Sequence, residues 1–351
     1  MRRPAAALLV ATAALLGGCG TAGYYAQSVG GHLDLISRAR PVSDWLADPA
    51  TPAPLRERLL LSQRLRDFAV SELKLPDNSS YRRFADLQRS AVVWNVVAAP
   101  ELSLKLKTWC VPLLGCMGYR GFFDRAAADA LAAQLKAEGL EVDVYGVPAY
   151  STLGWTEWLG GDPLLNTFIR WPEGELARIV FHELAHQVVY VADDTAFNES
   201  YATAVERLGG ERWLQQHAGA AERSEYAALD KRRQEFRALT ARTRAELHAL
   251  YASTLDEAAK HERKAALMAA MRAAHQALKQ DAWAGFAGYD GWFSRANNAT
   301  VAVQGVYDDL VPGFERLFER SGRDFARFHA EVRALAALPK AERHAKLDLS
   351  R

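Results

Sequence analysis

Two histidines one helical turn apart constrain this chain more than anything else in it. His182 and His186 flank Glu183, Leu184 and Ala185, and twelve residues separate His186 from Glu199. Side chains at i and i+4 share one face of a helix, so the two imidazoles can grip one ion only if this segment is helical. Paired imidazoles and a carboxylate are a preferred donor set for Zn2+, which takes about four ligands and keeps one position open for water in catalytic sites. Glu183 is rotated around the helix toward that open side, where a carboxylate can take a proton from water. Pro172 suits the first helical turn, and Glu173 and Glu175 lie near its positive end.

A turn at 191–195 leads to a second predicted helix, 196–216. If the two helices run antiparallel, facing residues are symmetric about the turn. The midpoint of His186 and Glu199 falls between Ala192 and Asp193, so Glu199 sits level with His186. The same count sets Thr203 opposite His182 as a supporting residue behind the ligand. Glu206 falls level with Ile179, a turn further on, and is the less favoured third ligand. Asp193 and Asp194 read as turn and cap residues.

The N-terminus carries a different kind of signal. Arg2 and Arg3 precede an apolar run, Ala5 to Leu16, that ends in Leu16-Gly17-Gly18-Cys19. The run is too short for a comfortable membrane span and resembles a bacterial lipoprotein signal. That resemblance implies lipidation at Cys19 and a soluble domain tethered at the cell envelope. By the same resemblance, Gly20 after the cysteine implies the periplasmic face of the outer membrane. Cys110 and Cys116 remain; an oxidising compartment permits a disulfide between them, and two buried thiols are the alternative. A net charge of +1 offers no case for nucleic acid. No protein partner is identifiable.

Elsewhere, periodicity predicts helices over 24–38, 55–73, 81–98 and 123–138, and strands over 102–109 and 140–147. Residues 220–280 are charged and Ala-rich, with a narrow apolar stripe and a weak break at Ser253-Thr254. They read as two antiparallel helices, a projecting and solvated hairpin arm. The expected fold is α+β and mostly α-helical, with a small sheet. The divisions are a signal peptide at 1–18, a catalytic core at 19–219, the arm at 220–280, and a helical part at 281–351 that completes the core.

His182-Glu183-x-x-His186 followed by Asn198-Glu199-x-x-Ala202 resembles the gluzincins, the thermolysin-like and alanyl-aminopeptidase-like metallopeptidases. The resemblance implies a zincin-like core, with His182, His186 and Glu199 as zinc ligands and Glu183 as the base. The spacing to Glu199 is shorter than those families use. Tyr24-Tyr-Ala-Gln27, Tyr150-Ser-Thr-Leu-Gly-Trp155 and Phe197-Asn-Glu-Ser-Tyr201 extend the likeness to a bacterial family of predicted aminopeptidases. The activity so implied is zinc-dependent peptide hydrolysis. The alternatives are a peptidoglycan-directed endopeptidase or amidase, and a zinc-binding adaptor without activity. By family analogy, peptide substrate lies along 144–155, which makes Tyr150 and Ser151 substrate-binding candidates; Glu157 and Asp162 are weak candidates for the substrate amine. An oxyanion donor is sought in Tyr307 or Tyr201, and Asn297 is a further cleft candidate. The other seven histidines, at 32, 217, 248, 261, 275, 329 and 344, read as surface or helix-end residues.

Overall fold

Proline and glycine punctuation divides the chain into short strands and longer helices. The computed structural model describes residues 23–111, 115–149, 152, 160–304 and 310–348. The segment read as a lipoprotein signal, with Cys19, lies outside them. A first helix, α1 (23–38), precedes β1 (Arg40–Pro41), α2 (Val42–Ala47) and α3 (Ala53–Ser71). Pro52 and Pro54 start α3 without a side-chain cap, and its buried positions include Leu61, Leu65, Phe68 and Ala69 at helical spacing.

Two three-stranded sheets follow. In one, β2 (Arg83–Ala85) lies between β1 and β8 (Leu164–Leu165). In the other, β3 (Val93–Pro100) is central, between β6 (Arg120–Phe122) and β7 (Leu140–Val147). Between them, β4 (Trp109–Val111) and β5 (Gly115–Met117) make a small hairpin. α4 (Arg125–Ala137) covers the second sheet, capped by Asp124 and ended near Gly139, whose φ of +82° suits glycine.

Two expectations are corrected here. Residues 81–98 are not a helix but β2, an irregular stretch and β3. Every residue of β3 except Trp94 and Pro100 is buried, so it presents a nearly continuous apolar run rather than alternation. Such a run does not distinguish strand from helix by periodicity, and its β-branched valines settle for the pleated surface. Residues 103–108 form no strand despite alternating leucines. Leu104 packs on one apolar cluster and Leu106 on another. The Asn298 side chain donates to the carbonyls of Pro100, Glu101 and Ser103, in place of a neighbouring strand.

The remainder is helical: α5 (Glu173–His186), α6 (Thr195–His217), α7 (Ala220–Ala252), α8 (Glu257–Gln280), α9 (Asp290–Arg295), α10 (Asn298–Gln304), α11 (Val311–Arg320), α12 (Phe325–Ala336) and α13 (Lys340–Asp348). The fold is thus α+β and mostly helical. No helix among the described residues is long and apolar enough to cross a membrane. The main core joins α3, α5, α6, α11 and α12 around Phe68, Phe181, Phe197, Phe314 and Phe328. Asp194 caps α6 through the Phe197 amide and binds Arg343 (2.8 Å) and His344 (2.9 Å) of α13. The C-terminal helix therefore braces the start of α6.

The expected break gives α7 and α8 as an antiparallel pair, with Asp256 capping α8. The pair is more than a solvated arm. Phe236, Leu239, Leu247, Met268 and Met271 form a second apolar cluster with Trp283 and Phe293. α7 also packs on α5, α6 and α10.

Candidate metal centre

Helix α5 forms because its apolar residues fill the core while its histidines need not. Leu176, Ala177, Val180, Phe181, Leu184 and Ala185 are all fully buried. That fixes the rotation of the helix and turns His182 and His186 toward α6. Their Nε2 atoms lie 3.1 Å apart. Glu199 Oε2 stands 3.3 Å from His182 Nε2 and 3.7 Å from His186 Nε2. One donor atom from each residue falls within 4.8 Å of the others. Two imidazole nitrogens and a carboxylate oxygen converging on one point are chemically suited to a zinc-type cation.

The electrostatics of the cluster are those of a partly buried charge network. Burial alone would lower the His182 pKa, but Glu199 and Glu206 outweigh it and hold the ring well above the ordinary imidazole range. Burial would raise Glu199; His186 and His182 overcome this and hold it well below the carboxylate range. Glu183 goes the other way. Burial raises it, and the two histidines only partly offset that. A carboxylate with raised basicity beside the donor cluster is suited to accepting a proton.

The residue behind His182 is not Thr203. Thr203 is buried and has no hydrogen bond to His182 among the described residues. Glu206 Oε2 instead stands 3.0 Å from His182 Nδ1, within ion-pair distance but out of line with the ring N–H. The midpoint count failed because it compared Cα levels. Helical side chains lean toward their own N-terminus. On antiparallel helices, His182 leans toward the level of Ile179 and Glu206 toward that of Thr203, so the two long side chains meet. Arg178, one turn before His182 and buried, forms an ion pair with Glu206. Burial raises Glu206, but Arg178 foremost and then His182 bring it down to about 2. Arg178 had no motif in the sequence to reveal it, and Glu206 was weighed there only as a third ligand. The periodic signal was available, since residues 178 and 182 are i and i+4.

Beside His182 and Glu183 opens a cavity of about 250 Å³, lined also by Trp171, Glu175, Ile179, Arg233 and Arg237. Glu175 is engaged by Arg233, whose Nη2 lies 2.6 Å from both carboxylate oxygens. On the other side, Gln187 donates to Ser80 (3.1 Å) and accepts from Asn78 (2.7 Å), docking the 78–81 loop at the end of α5. Tyr81 follows in left-handed backbone (φ +62°), and its buried hydroxyl has no partner among the described residues. The sequence had placed Tyr81 in a helix.

Several candidates are placed elsewhere by the fold. Tyr201 is fully buried on the face of α6 turned away from the cluster, and its hydroxyl pairs with His329 Nδ1 at 2.8 Å. It packs on Phe314 and Phe328 and cannot reach the cleft. Neighbouring Glu199 in sequence misleads because residues 199 and 201 point to different sides of a helix. Asn297 caps α10: its Oδ1 accepts from the Thr300 amide, and its Nδ2 donates to the Val142 carbonyl of β7. Asp162 is buried and accepts from the Thr152 amide and hydroxyl. Tyr150, Ser151, Glu157 and Tyr307 lie outside the described residues. β7 is an edge of its sheet among the described residues. The histidines at 275 and 329 are corrected to buried residues; each is 1% exposed. Cys110 and Cys116 are cross-paired in the β4–β5 register and joined by a disulfide. The Cys116 amide donates to Asp193 Oδ1 at 2.9 Å, docking this hairpin on the α5–α6 connection.

No curated protein and no solved structure matches the chain. A family model described as "Putative aminopeptidase" matches residues 23–347. That span takes in α5, α6 and nearly every described element, so the chain belongs to this family.

Proposed function

We propose that this protein is a zinc-dependent, gluzincin-type peptidase held at the bacterial cell envelope by lipid on Cys19. One observation carries the reading: the donor atoms of His182, His186 and Glu199 converge beside Glu183, on two helices packed into the core. Membership of an aminopeptidase family supports peptide as the substrate. Zinc, when bound, supplies Lewis-acid charge and makes water a better nucleophile. His182, His186 and Glu199 are its ligands. Glu183 accepts the proton of the attacking water and returns it to the leaving amine, a role its raised pKa favours. Glu206 orients the His182 ring from the far nitrogen.

Glu183→Gln removes the base and leaves all three ligands. Hydrolysis of a peptide library by this variant should fall about 10²- to 10⁴-fold, with zinc content unchanged by atomic emission. Wild-type turnover by the variant refutes the mechanism. Mass spectrometry of the wild-type digest separates release of single N-terminal residues from internal cuts.

A further inference from the structure

Five large hydrophobic side chains are conspicuously exposed among the described residues, and three of them lie on α1. Tyr25, Val29 and Leu33 are 37%, 59% and 53% exposed. Their spacing of four sets them in one row along the helix. The other exposed positions up to Leu33 are Gly23, Ala26 and Gly30, so this face carries no charge until Asp34. The opposite face is fastened to the body. Tyr24 packs edge-on against Phe122 with centroids 5.5 Å apart, Gln27 accepts from the Phe123 amide at 3.1 Å, and Leu35 is 1% exposed. Among the described residues the helix therefore presents an uncovered apolar row at a fixed orientation.

We propose that this row rests on a phospholipid bilayer. Four residues after Cys19 the helix begins, and four residues reach at most about 14 Å. A lipid on Cys19 would keep the start of α1 within about 14 Å of the membrane surface. Apolar residues flanked by a tyrosine, with no charge to desolvate, suit that interface. The tether would hold the protein near the membrane, and the row would set which side of it faces the lipid. The proximity argument rests on the lipid anchor of the proposed function; the exposed row does not.

The chain from Gly20 onward retains every described element and lacks Cys19, so it tests the row alone. An environment-sensitive fluorophore is attached at Val29→Cys, and in a second protein at Leu60→Cys, an exposed apolar position on α3. Vesicles of phosphatidylethanolamine and phosphatidylglycerol should shift emission at position 29 to the blue saturably, and leave position 60 unchanged. Adding Leu33→Asp should weaken the apparent lipid affinity at position 29 by about ten-fold or more. An unchanged signal at position 29 under lipid excess overturns the proposal. So does a shift that tracks protein concentration without vesicles, which would make the row a self-association face. Acylation of Cys19 is read separately from the mass of the mature full chain, so loss of the anchor reading and loss of this one are distinct results.

Discussion

The α5–α6 and α7–α8 pairs are both antiparallel helical hairpins, yet they solve opposite problems. In α6, residues 197–205 are all buried except Glu199, whose side chain is 19% exposed. In α7, burial is confined to a stripe containing Phe236, Leu239, Thr243, Leu247 and Leu250. The first pair is enclosed by core and directs its few charges inward at one another. The second turns most of its charges to water and keeps a narrow apolar seam. A carboxylate is a candidate ligand or base in the first setting and a solubilising group in the second, because only enclosure makes its partners matter.

The two hairpins touch through Asp230, which lies 3.5 Å from Arg178, and through Arg233, which lies 2.6 Å from Glu175. Substitutions across this junction probe how far the contrast holds. Arg178→Met should have the largest effect, destabilising the fold by about 3–5 kcal/mol in urea titrations, because Glu206 would be left buried without its main countercharge. A loss near zero would mean that the first pair is no more enclosed than the second.

Next comes the far side of α6. His329 donates from Nε2 to the Leu73 carbonyl and accepts from Tyr201 at Nδ1, the pattern of a neutral ring. Burial lowers its pKa from 6.5 to about 4, against the opposing pull of the Leu73 carbonyl. The unfolded chain then binds this proton more tightly than the folded one. The stabilisation is complete above pH 6.5 and is lost as pH falls toward 4, amounting to about 3 kcal/mol. Denaturation curves across that window should show the slope, and His329→Gln should flatten it.

Glu206→Gln should weaken zinc binding about 10- to 100-fold in chelator competition, while Thr203→Ala leaves it near wild type. Equal losses would restore the sequence assignment of Thr203. The smallest effect is expected from Asp230→Asn, about 1 kcal/mol or less in stability, with zinc affinity unaltered. If that variant loses as much affinity as Glu206→Gln, the hairpin is part of the site and the two regions are one functional unit.

Much of the candidate site was legible because it is local. His182, His186 and Glu183 share one helix, and the symmetry of a short turn brought Glu199 level with them. Asp194 read as a cap and binds as one. Legibility ended where direction rather than position mattered. Thr203 and Glu206 differ by less than a turn, and the lean and length of the side chain chose between them. Tyr201 was drawn to the cleft by its neighbour in sequence and is held in the core by His329, more than a hundred residues away. Within residues 81–98, β3 failed for another reason, since a nearly continuous buried run has no polar face to declare its period.

The sequence by itself determined the paired imidazoles, the antiparallel reading of their two helices, the predominance of helix, and the break between α7 and α8. Each follows from spacing along one or two helical turns, where backbone geometry leaves little freedom. Tertiary structure alone decided which carboxylate backs His182, which tyrosine is core, and which way β3 folds. Those outcomes depend on contacts between segments far apart in the chain, and it is packing between them that selects among locally equivalent arrangements.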